Sequence, residues 1–474
     1  MRLCAGPRTP SYLPSVLFLA IAILWLRLED ITLFSVDGVV YSAIAKLLAQ
    51  KPIWQWTQMN WVDGRLYNDH PPLMKWVLAA SIRLFGSTSL AVVLPPVVFS
   101  TATVGLLYQT AKELWDDRYA LYSAIILCLT PPFIRDGRNP MLEPPLIFFL
   151  CLALYLGIIA MKGRRVGYAW IAGWALAAGW LTKGPPILIA APALTWLAFS
   201  YDLDRPTALR LALRSTLGFL IPLFVFELWH HSASGHWFHD DYFRAQIAPA
   251  ALETTPQTAD TLFYFKDVLT RQWPWLLPAL LSPLFVFRSA EKTGRAVFFL
   301  GLILWMGPLI AFSFFQKKSS WYANLTTPAL ALLAAIPFQM KASGRNTKKL
   351  LARSCLALGV ILLFLGATLP SLFRYPRPAE EFFHSIGQTE IPALTRGVAV
   401  SDCVGLDVWK GSSLVYYYLG ARLIANCDPA APFRIESAKG TPPPNFRLLY
   451  QDSHFALLQK VPLISYPSHD LMRR

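Results

Sequence analysis

Two acidic side chains in one predicted loop are best suited to acid–base chemistry. Asp37 opens an apolar helical repeat, and Asp69 is followed directly by His70. A carboxylate presented at a lipid–water boundary can act as a general base, although Asp at the start of a helix is also an ordinary N-cap. The residues alone leave both interpretations of Asp37 open. Two carboxylates in one loop also suit an acid–base or metal-binding pair.

Cationic side chains gather near the same predicted membrane face. Polar clusters follow apolar runs at 135–139, 182–185 and 316–322, and further arginines lie between residues 230 and 273. Charge-assisted hydrogen bonds from such groups hold phosphate, so together they suit an anionic, lipid-linked ligand. The alternative is that each cation contacts lipid headgroups or caps helix carbonyls. The cations concerned are Arg135, Arg138, Lys183, Arg244, Arg271, Lys317 and Lys318.

The composition indicates that membrane helices position these residues. Hydrophobic residues make up 55% of the chain and charged residues 15%, against about 25% charged in soluble proteins. This excludes an ordinary cytosolic enzyme, a disordered chain and a secreted disulfide scaffold. Apolar runs that suit a bilayer recur about eleven times. They lie near 12–28, 88–109, 119–134, 144–161, 167–182, 185–200, 211–229, 274–288, 296–314, 321–338 and 350–370.

The basic residues predict the orientation. Lys and Arg number 43 against 28 Asp and Glu, a net charge of +15, and alternate short loops between the apolar runs are basic. Such loops prefer the cytoplasm, which puts the N-terminus inside and the loops 29–87 and 230–273 outside. Most of the charge excess therefore sets topology, and no nucleic-acid partner is implied. Within loop 29–87, the apolar helical stripe after Asp37 is short enough to lie flat in the membrane interface. A second amphipathic segment begins at Leu73, with Lys75 reaching toward water.

The residues beyond Pro370 predict a separate soluble domain. Turn residues separate strand-like stretches at 397–401, 413–424 and 446–460, a pattern typical of a small α/β fold. The predicted fold is therefore an all-α polytopic membrane domain, residues 1–370, with a small outer α/β domain, residues 371–474. Cys403 and Cys427 both fall in this domain, where an oxidising compartment would let them pair. Two free buried thiols are the alternative.

Four motifs carry a family resemblance. The sequences Asp37-Gly38-x-x-Tyr41, Tyr67-x-Asp69-His70-Pro71-Pro72-Leu73, Leu181-Thr182-Lys183-Gly184-Pro185 and Lys318-x-x-x-Tyr322 resemble the GT-C membrane glycosyltransferases. The most similar branch is the bacterial protein-mannosyltransferase-like group that includes the lipid A aminoarabinose transferase. Order and spacing agree from about residue 30 to residue 335. The resemblance implies a polyprenyl-phosphate sugar donor and an acceptor on the outer face of the cytoplasmic membrane.

The resemblance also implies roles for individual residues. The catalytic aspartate of the family falls on Asp37 and the second acidic position on Asp69. The residues matched or nominated for the donor phosphate are His70, Lys183, Lys318, Tyr322 and Arg138, with Glu143 and Arg244 assigned to acceptor or sugar. The family usually has Lys where this chain has His70, and histidine titrates near neutrality. This predicts pH-sensitive phosphate binding. Gly38 and Val40 depart from the family opening, which leaves sugar and acceptor undetermined.

The function that follows is inverting transfer of a sugar from polyprenyl phosphate to lipid A, another envelope glycan or a protein. No cofactor is required, and a divalent metal is an alternative that no His- or Cys-rich spacing supports. A transporter or flippase of lipid-linked saccharides is the rival function. Transporters tend to carry internal repeats and midplane polar residues, neither of which this sequence shows clearly. A mere membrane anchor for the outer domain leaves the polar clusters unused.

Overall fold

The computed structural model describes residues 11–28, 33, 35–163, 165–252, 260–273, 275–289, 291–341, 353–362, 378–440, 442–443 and 445–461. The chain forms two compact units. The first comprises Met1–Ile31, Leu48–Met59 and Leu66–Arg374, and the second Thr32–Leu47, Asn60–Arg65 and Tyr375–Arg474. The domain boundary expected near residue 370 thus lies close to Arg374, after which the chain passes from the first unit to the second. The second unit also takes in two pieces of loop 29–87.

Helices make up the first unit as far as the structure describes it. In chain order the helices before residue 363 are α1 (Leu13–Leu24), α2 (Val36–Ala49), α3 (Leu73–Phe85), α4 (Ser89–Leu114), α5 (Asp117–Cys128), α6 (Pro131–Gly137), α7 (Glu143–Gly163), α8 (Val166–Lys183), α9 (Ala190–Ser200), α10 (Arg205–Ser234), α11 (Phe238–Tyr242), α12 (Ala248–Leu252), α13 (Phe263–Arg271), α14 (Leu276–Arg288), α15 (Lys292–Ser313), α16 (Thr327–Lys341) and α17 (Arg353–Leu362). Of these, α2 belongs mostly to the second unit.

The predicted membrane-spanning runs coincide with helices. Among the described residues, five helical stretches are long and apolar enough to cross a bilayer: α4, α7, α10, α15 and Tyr322–Met340. Shorter apolar helices are α1, Pro185–Ser200, α14 and α17. The polytopic helical fold is therefore confirmed. Part of the predicted run 350–370 lies outside the described residues.

One predicted span is broken. The run 119–134 forms two short helices, α5 and α6, instead of one. Thr130, between them, has extended backbone with ψ 113°. The break follows from Pro131, since the residue before a proline is disfavoured in the helical region. As a result, α6 places Arg135 and Asp136 on a separate short helix.

Small residues let α8 and α10 approach each other closely. A side chain on Gly173 would come within 2.2 Å of the Ser215 carbonyl oxygen and 2.8 Å of the Gly218 Cα. Such small residues are typical of helix crossings in membranes, where backbones must meet without side chains between them. The crossing fixes the position of α8, whose C-terminal residue is Lys183.

Helix α2 is buried on all sides, in contrast to the interfacial helix that its apolar stripe suggests. Every residue from Val39 to Ala45 is at most 5% exposed. A helix that is shielded all round lies inside a protein rather than flat on a surface. The interfacial interpretation of α2 is therefore wrong.

The second unit contains a five-stranded sheet and short helices. The strands are β1 (Ala399–Asp402), β2 (Arg422–Ile424), β3 (Phe433–Ser437), β4 (Phe446–Gln451) and β5 (Phe455–Lys460), in the order β2-β1-β3-β5-β4. β1 is parallel to β2 and β3, and β5 is antiparallel to β3 and β4. The helices are α18 (Pro378–Gly387), α19 (Ile391–Thr395) and α20 (Val408–Leu414), which a π-helical turn extends over Val415–Leu419. Cys403 and Cys427 form a disulfide.

The strand predictions for this unit are only partly correct. The stretch 413–424 is mostly helical, and 446–460 is a hairpin of two strands. Strand β3 lies outside the predicted stretches. Aromatic and β-branched residues such as Val415 and Tyr417 favour strands, but that preference depends strongly on packing. Here both side chains are buried within a helical turn.

Candidate active site

Asp37 lies in the first turn of α2 without capping it. The backbone amide of Gly38 donates to the Ser35 hydroxyl at 3.0 Å, so Ser35 performs the N-cap role. The N-cap interpretation of Asp37 is therefore wrong. Its side chain is half-buried. An acidic group in the first turn is favoured by the helix dipole, and the carboxylate interpretation stays a proposal.

Lys75 holds the turn that follows Asp69. Its side chain is fully buried, and its Nζ donates to the carbonyl oxygens of His70 at 3.0 Å and Pro71 at 2.7 Å. The same ammonium lies 5.5 Å from the ring centroid of Tyr67. The expectation that Lys75 reaches toward water is wrong, because backbone carbonyls near the prolines provide it with acceptors inside the protein.

The electrostatics of His70 link three separate segments. Burial, followed by the positive charges of Lys75, Lys183 and Lys317, holds the pKa of His70 well below its ordinary value. The charge around this imidazole therefore comes from three segments: the start of α3, the end of α8 and the residues after α15. The expectation that His70 titrates near neutrality is wrong for the ligand-free protein. A neutral imidazole can still donate one hydrogen bond to phosphate.

Lys183 is the centre of a second set of contacts. Its ammonium forms an ion pair with Glu143, and the two side chains are only 11% and 3% exposed. The same Nζ lies 4.3 Å from the ring centroid of Tyr322. The Tyr242 hydroxyl donates to the Lys183 carbonyl oxygen at 3.1 Å. Three residues singled out from the sequence are thus brought together, with Tyr242 added.

Gly184 permits this arrangement. It has φ +76°, and a Cβ there would lie 2.7 Å from the Tyr242 hydroxyl oxygen. Both its backbone conformation and the space around it exclude an ordinary side chain. The glycine of the Leu-Thr-Lys-Gly-Pro motif therefore lets the chain turn directly after the lysine.

Asp136, within the polar stretch 135–139 noted in the sequence, is the centre of a buried cluster, and no role was predicted for it. Asp136 is 2% exposed, is paired with Arg135 at 2.6 Å and accepts a hydrogen bond from the Asn324 amide. Burial raises the pKa of this carboxyl to about 6, although the Arg135 guanidinium opposes the shift. The indole of Trp321 lies beside two guanidinium groups, Arg135 at 4.5 Å and Arg271 at 5.6 Å.

Local carboxylates balance these two arginines. Arg271 pairs with Asp267 at 3.0 Å, one helical turn before it, as Arg135 pairs with Asp136. Both arginines were counted among the cations facing an anionic ligand. Their charges are instead largely compensated within the protein. The pairing of Arg135 with Asp136 could have been predicted, because the two residues are adjacent in the sequence.

The other residues predicted to bind the donor phosphate, the sugar or the acceptor contact backbone or surface groups. Arg138 donates to the carbonyl oxygen of Leu26, and Lys318 donates to that of Phe315 at 3.0 Å. Carbonyl capping was one of the alternatives for these cations. Arg244 is 78% exposed and pairs with Asp240 at 3.0 Å. Exposed pairs of this kind are weak, so Arg244 retains freedom to bind elsewhere.

The segment that contains Asp69 is linked to the short helix α11. The Asn68 amide donates to Asp241 of α11 at 2.9 Å. Residue 68 precedes Asp69, so this bond connects segment 66–72 to the residues after α10. Within the described residues, no group of three or more His, Cys, Asp or Glu side chains is arranged to hold a metal ion.

Comparisons with known proteins agree on one class. A family model described as dolichyl-phosphate-mannose-protein mannosyltransferase matches residues 69–230. An undecaprenyl phosphate-alpha-4-amino-4-deoxy-L-arabinose arabinosyl transferase of Pseudomonas aeruginosa (strain UCBPP-PA14) is 28% identical over 342 residues, which cover 68% of this chain and 60% of that protein. The crystal structure of ArnT from Cupriavidus metallidurans bound to undecaprenyl phosphate has a TM-score of 0.68 at 16% identity, covering 95% of this chain and 99% of that one. The solved ArnT structure therefore shares its fold with this chain, and the family model and the sequence relatives agree with the resemblance to GT-C membrane glycosyltransferases that the motifs carry.

The sequence relatives extend beyond the region that this chain matches. The chain spans about 60% of the length of the Pseudomonas aeruginosa relatives that it matches. A protein of the same name from Pectobacterium carotovorum subsp. carotovorum (strain PC1) is 26% identical over 379 residues, 76% of this chain and 66% of its own. The likeness to the solved structure extends over nearly the whole chain and concerns the fold.

Proposed function

We propose that this GT-C chain transfers a sugar from a polyprenyl-phosphate donor to an acceptor, with inversion at the anomeric carbon. The observation that carries the proposal is the group of cations around the half-buried His70: Lys75, Lys183 and Lys317 all act on its imidazole, and Lys183 is held in a shielded ion pair with Glu143. Positive charge concentrated in a shielded site suits a phosphate, since charge-assisted bonds are strongest there. The names of the relatives support a polyprenyl-phosphate donor, and the ArnT structure bound to undecaprenyl phosphate supports the same class.

The chemical demand is to stabilise the departing lipid phosphate. The bond between the anomeric carbon and the phosphate oxygen breaks, and the acceptor oxygen bonds to the opposite face of that carbon. Preorganised cations stabilise the charge that develops on the leaving oxygen. We assign this role to Lys183 and His70, supported by Tyr322, with Lys318 and Arg138 as further candidates. Glu143 orients Lys183 and contributes, with Arg244, to binding the sugar or acceptor.

Asp37 supplies the base when the acceptor is a hydroxyl group. Its carboxylate takes the acceptor proton as the new bond forms. When the acceptor is a phosphate, as on lipid A, no proton has to leave, and Asp37 instead orients the acceptor. Asp69 supports the sugar or the surroundings of Asp37. The acceptor class is lipid A, another envelope glycan or a protein.

The proposed location is the bacterial cytoplasmic membrane. The N-terminus lies in the cytoplasm and the unit containing the disulfide lies outside. The disulfide between Cys403 and Cys427 supports the outer placement, because disulfides persist in oxidising compartments.

The direct test uses the purified chain in proteoliposomes with a panel of radiolabelled polyprenyl-phosphate sugars. Transfer is expected to release polyprenyl phosphate and to label an added lipid, glycan or protein acceptor. Asp37→Asn is expected to lower transfer to a hydroxyl acceptor about a hundredfold or more at normal protein levels, with a measurable residual rate. If no donor of the panel releases polyprenyl phosphate, the enzyme proposal fails.

The same vesicles separate transfer from lipid flipping. A flippase moves the donor between leaflets and leaves its mass unchanged, whereas a transferase shortens the donor by its sugar. The expected result is a change of mass that requires the acceptor. The named relatives are transferases, and none of the comparisons described above supports the flippase alternative.

A further inference from the structure

Lys46 ties helix α2 to the C-terminal part of the chain. Its Nζ donates to the carbonyl oxygens of Tyr416, at 3.3 Å, and of Tyr417. The ammonium also lies 5.7 and 5.6 Å from the ring centroids of these two tyrosines. All three residues belong to the second compact unit. The contact therefore joins residues 370 positions apart in the sequence within one folding unit.

The position of these carbonyls explains why a lysine binds there. They lie in the π-helical turn Val415–Leu419, which ends at the left-handed Gly420. The Tyr416 carbonyl oxygen also accepts from the Gly420 N–H at 3.0 Å, and a cation is favoured beside the carbonyls at the end of a helix. Burial, and after it the charge of Arg396, lowers the pKa of Lys46 to about 8. The side chain therefore still carries its charge near neutrality.

The same helix also holds a second piece of loop 29–87. Trp409, near the start of α20, lies 4.8 Å from the ring of Trp61, and its own ring lies 4.8 Å from the guanidinium carbon of Arg65. Residues 408–419 thus contact the loop at both ends, through Trp409 and through the carbonyls of Tyr416 and Tyr417. Through these two contacts, helix 408–419 packs against both loop segments that belong to its unit.

Helix geometry separates the anchor from the acid. Asp37 and Lys46 lie nine residues apart in α2, which is about two and a half turns at 3.6 residues per turn. They consequently occupy opposite faces of the helix. An anchor at Lys46 fixes the rotation and the axial position of α2, and the face that carries Asp37 is directed away from the anchor.

We propose that Lys46 is a positioning residue for Asp37, and that helix 408–419 is the element through which it acts. The inference rests on the proposed role of Asp37 as the group that deprotonates or orients the acceptor. It adds that residues 408–419 hold α2 in place within the second unit. Sub-ångström placement of a reacting group matters because a shift of about 1 Å can cost about a hundredfold in rate.

The test compares Lys46→Met with Lys51→Met as a matched control. Lys51 lies five residues further along and also donates to a backbone carbonyl, that of Gln58 at 2.9 Å, but it belongs to the first unit. For a donor accepted in the vesicle assay, Lys46→Met is expected to lower kcat about tenfold or more with the donor KM unchanged. Lys46→Arg, which keeps the cation, is expected to recover part of kcat. Lys51→Met is expected to retain the wild-type kcat.

A double-mutant cycle separates positioning from simple stabilisation. In the Asp37→Asn background, Lys46→Met is expected to cause no further loss of residual transfer, because the group that it positions is already gone. Additive losses, or a drop in residual transfer that matches a drop in folded protein, would overturn the proposal. If Lys46→Met does not accumulate in membranes, Lys46→Gln serves in the same cycle, with the same expected and contrary outcomes.

The outcomes also distinguish this inference from the proposed function. A wild-type kcat for Asp37→Asn would overturn the role of Asp37 and this inference with it. A strongly impaired Asp37→Asn together with a fully active Lys46→Met would overturn the positioning role of Lys46 alone. Transfer lowered in both single variants, with no added loss in the double variant, supports both.

Discussion

Lys183, the last residue of α8, is paired with Glu143, the first residue of α7, and both side chains are almost completely shielded. Charges taken out of water are costly unless each has its partner. A buried ion pair contributes little net stability, and under the proposed function it prepares Lys183 for the donor phosphate. The Lys183 ammonium contacts Glu143 and lies beside the ring of Tyr322. An incoming phosphate would find the ammonium already desolvated and oriented.

Breaking this pair from one side is expected to destabilise the protein. Glu143→Gln leaves the Lys183 ammonium without its counter-charge, and Lys183→Met leaves the carboxylate in the same condition. Either change is expected to cost on the order of 3 kcal/mol of unfolding free energy and to abolish transfer. Thermal unfolding in detergent and the vesicle assay measure the two effects separately.

The double variant Glu143→Gln, Lys183→Met is the control for that prediction. Removing both charges is expected to restore most of the lost stability, because no uncompensated charge remains. Transfer is expected to stay lost if Lys183 binds the donor phosphate. A stable double variant that transfers sugar at the wild-type rate would contradict the assignment of Lys183.

Predictions from sequence succeeded where one physical rule dominates. The length of apolar runs predicts helices, so the run 144–161 corresponds to α7 and 167–182 to α8. Short motifs placed Lys183 and Tyr322, which the structure brings together. The partner of Lys183 could not be predicted, because Glu143 lies 40 positions away and only tertiary packing sets that distance.

The failures have equally specific causes. The Lys75 ammonium was expected to be exposed to solvent, since a buried lysine is rare unless paired. It is buried instead, because the carbonyl oxygens of His70 and Pro71 accept its hydrogen bonds inside the protein. The aromatic run Tyr416–Tyr418 favours a strand locally, and burial in a helical turn overrides it. Lys46 of α2 binds the carbonyls of Tyr416 and Tyr417, which lie so far along the chain that no local pattern predicts the contact.

The lowered pKa of His70 predicts a pH-dependent stability. In the unfolded chain this imidazole takes up a proton near pH 6.5, whereas in the folded protein burial and three lysines oppose protonation. The unfolded state therefore binds more protons below about pH 6.5, and the folded protein loses stability as the pH falls from there toward the lower folded pKa. His70→Gln is expected to remove this part of the pH dependence. Unfolding midpoints at pH 7.5 and pH 5.5 measure it.

An exposed histidine provides the matched control for His70. His454 lies on the surface of the second unit, so His454→Gln is expected to leave the difference between the two pH values as in the wild type. If the unfolding midpoint falls equally between pH 7.5 and pH 5.5 in the wild type and in His70→Gln, this would contradict the lowered pKa of His70 in the folded protein. A donor phosphate bound next to His70 would favour its protonated form, so saturating donor is expected to reduce the wild-type loss at low pH.

Reduction of the disulfide is expected to weaken the second unit. Cys403 and Cys427 are 24 residues apart, and closing a loop of this size stabilises a fold by about 3 kcal/mol. The Cys403→Ser, Cys427→Ser variant should unfold earlier and lose transfer in parallel, because α2 is held by the same unit. Maleimide labelling of these two positions only after reduction is the accompanying observation. Labelling without reduction would contradict the disulfide.

Gly184→Ala is expected to damage the site more than a comparable glycine change elsewhere. Gly184 and Gly235 have φ values of +76° and +75°, but a Cβ on Gly184 would lie 2.7 Å from the Tyr242 hydroxyl oxygen, while Gly235 has open space around it. Gly235, with ψ 0°, lies in the left-handed region, where alanine costs about 1 kcal/mol, whereas Gly184, with ψ −134°, has a backbone conformation that is still less accessible to alanine. Gly184→Ala must in addition displace Tyr242 from the Lys183 carbonyl. Its unfolding midpoint is expected to fall further, and the donor KM is expected to rise only in this variant. Equal losses in both variants would show that Tyr242 does not fix the end of α8.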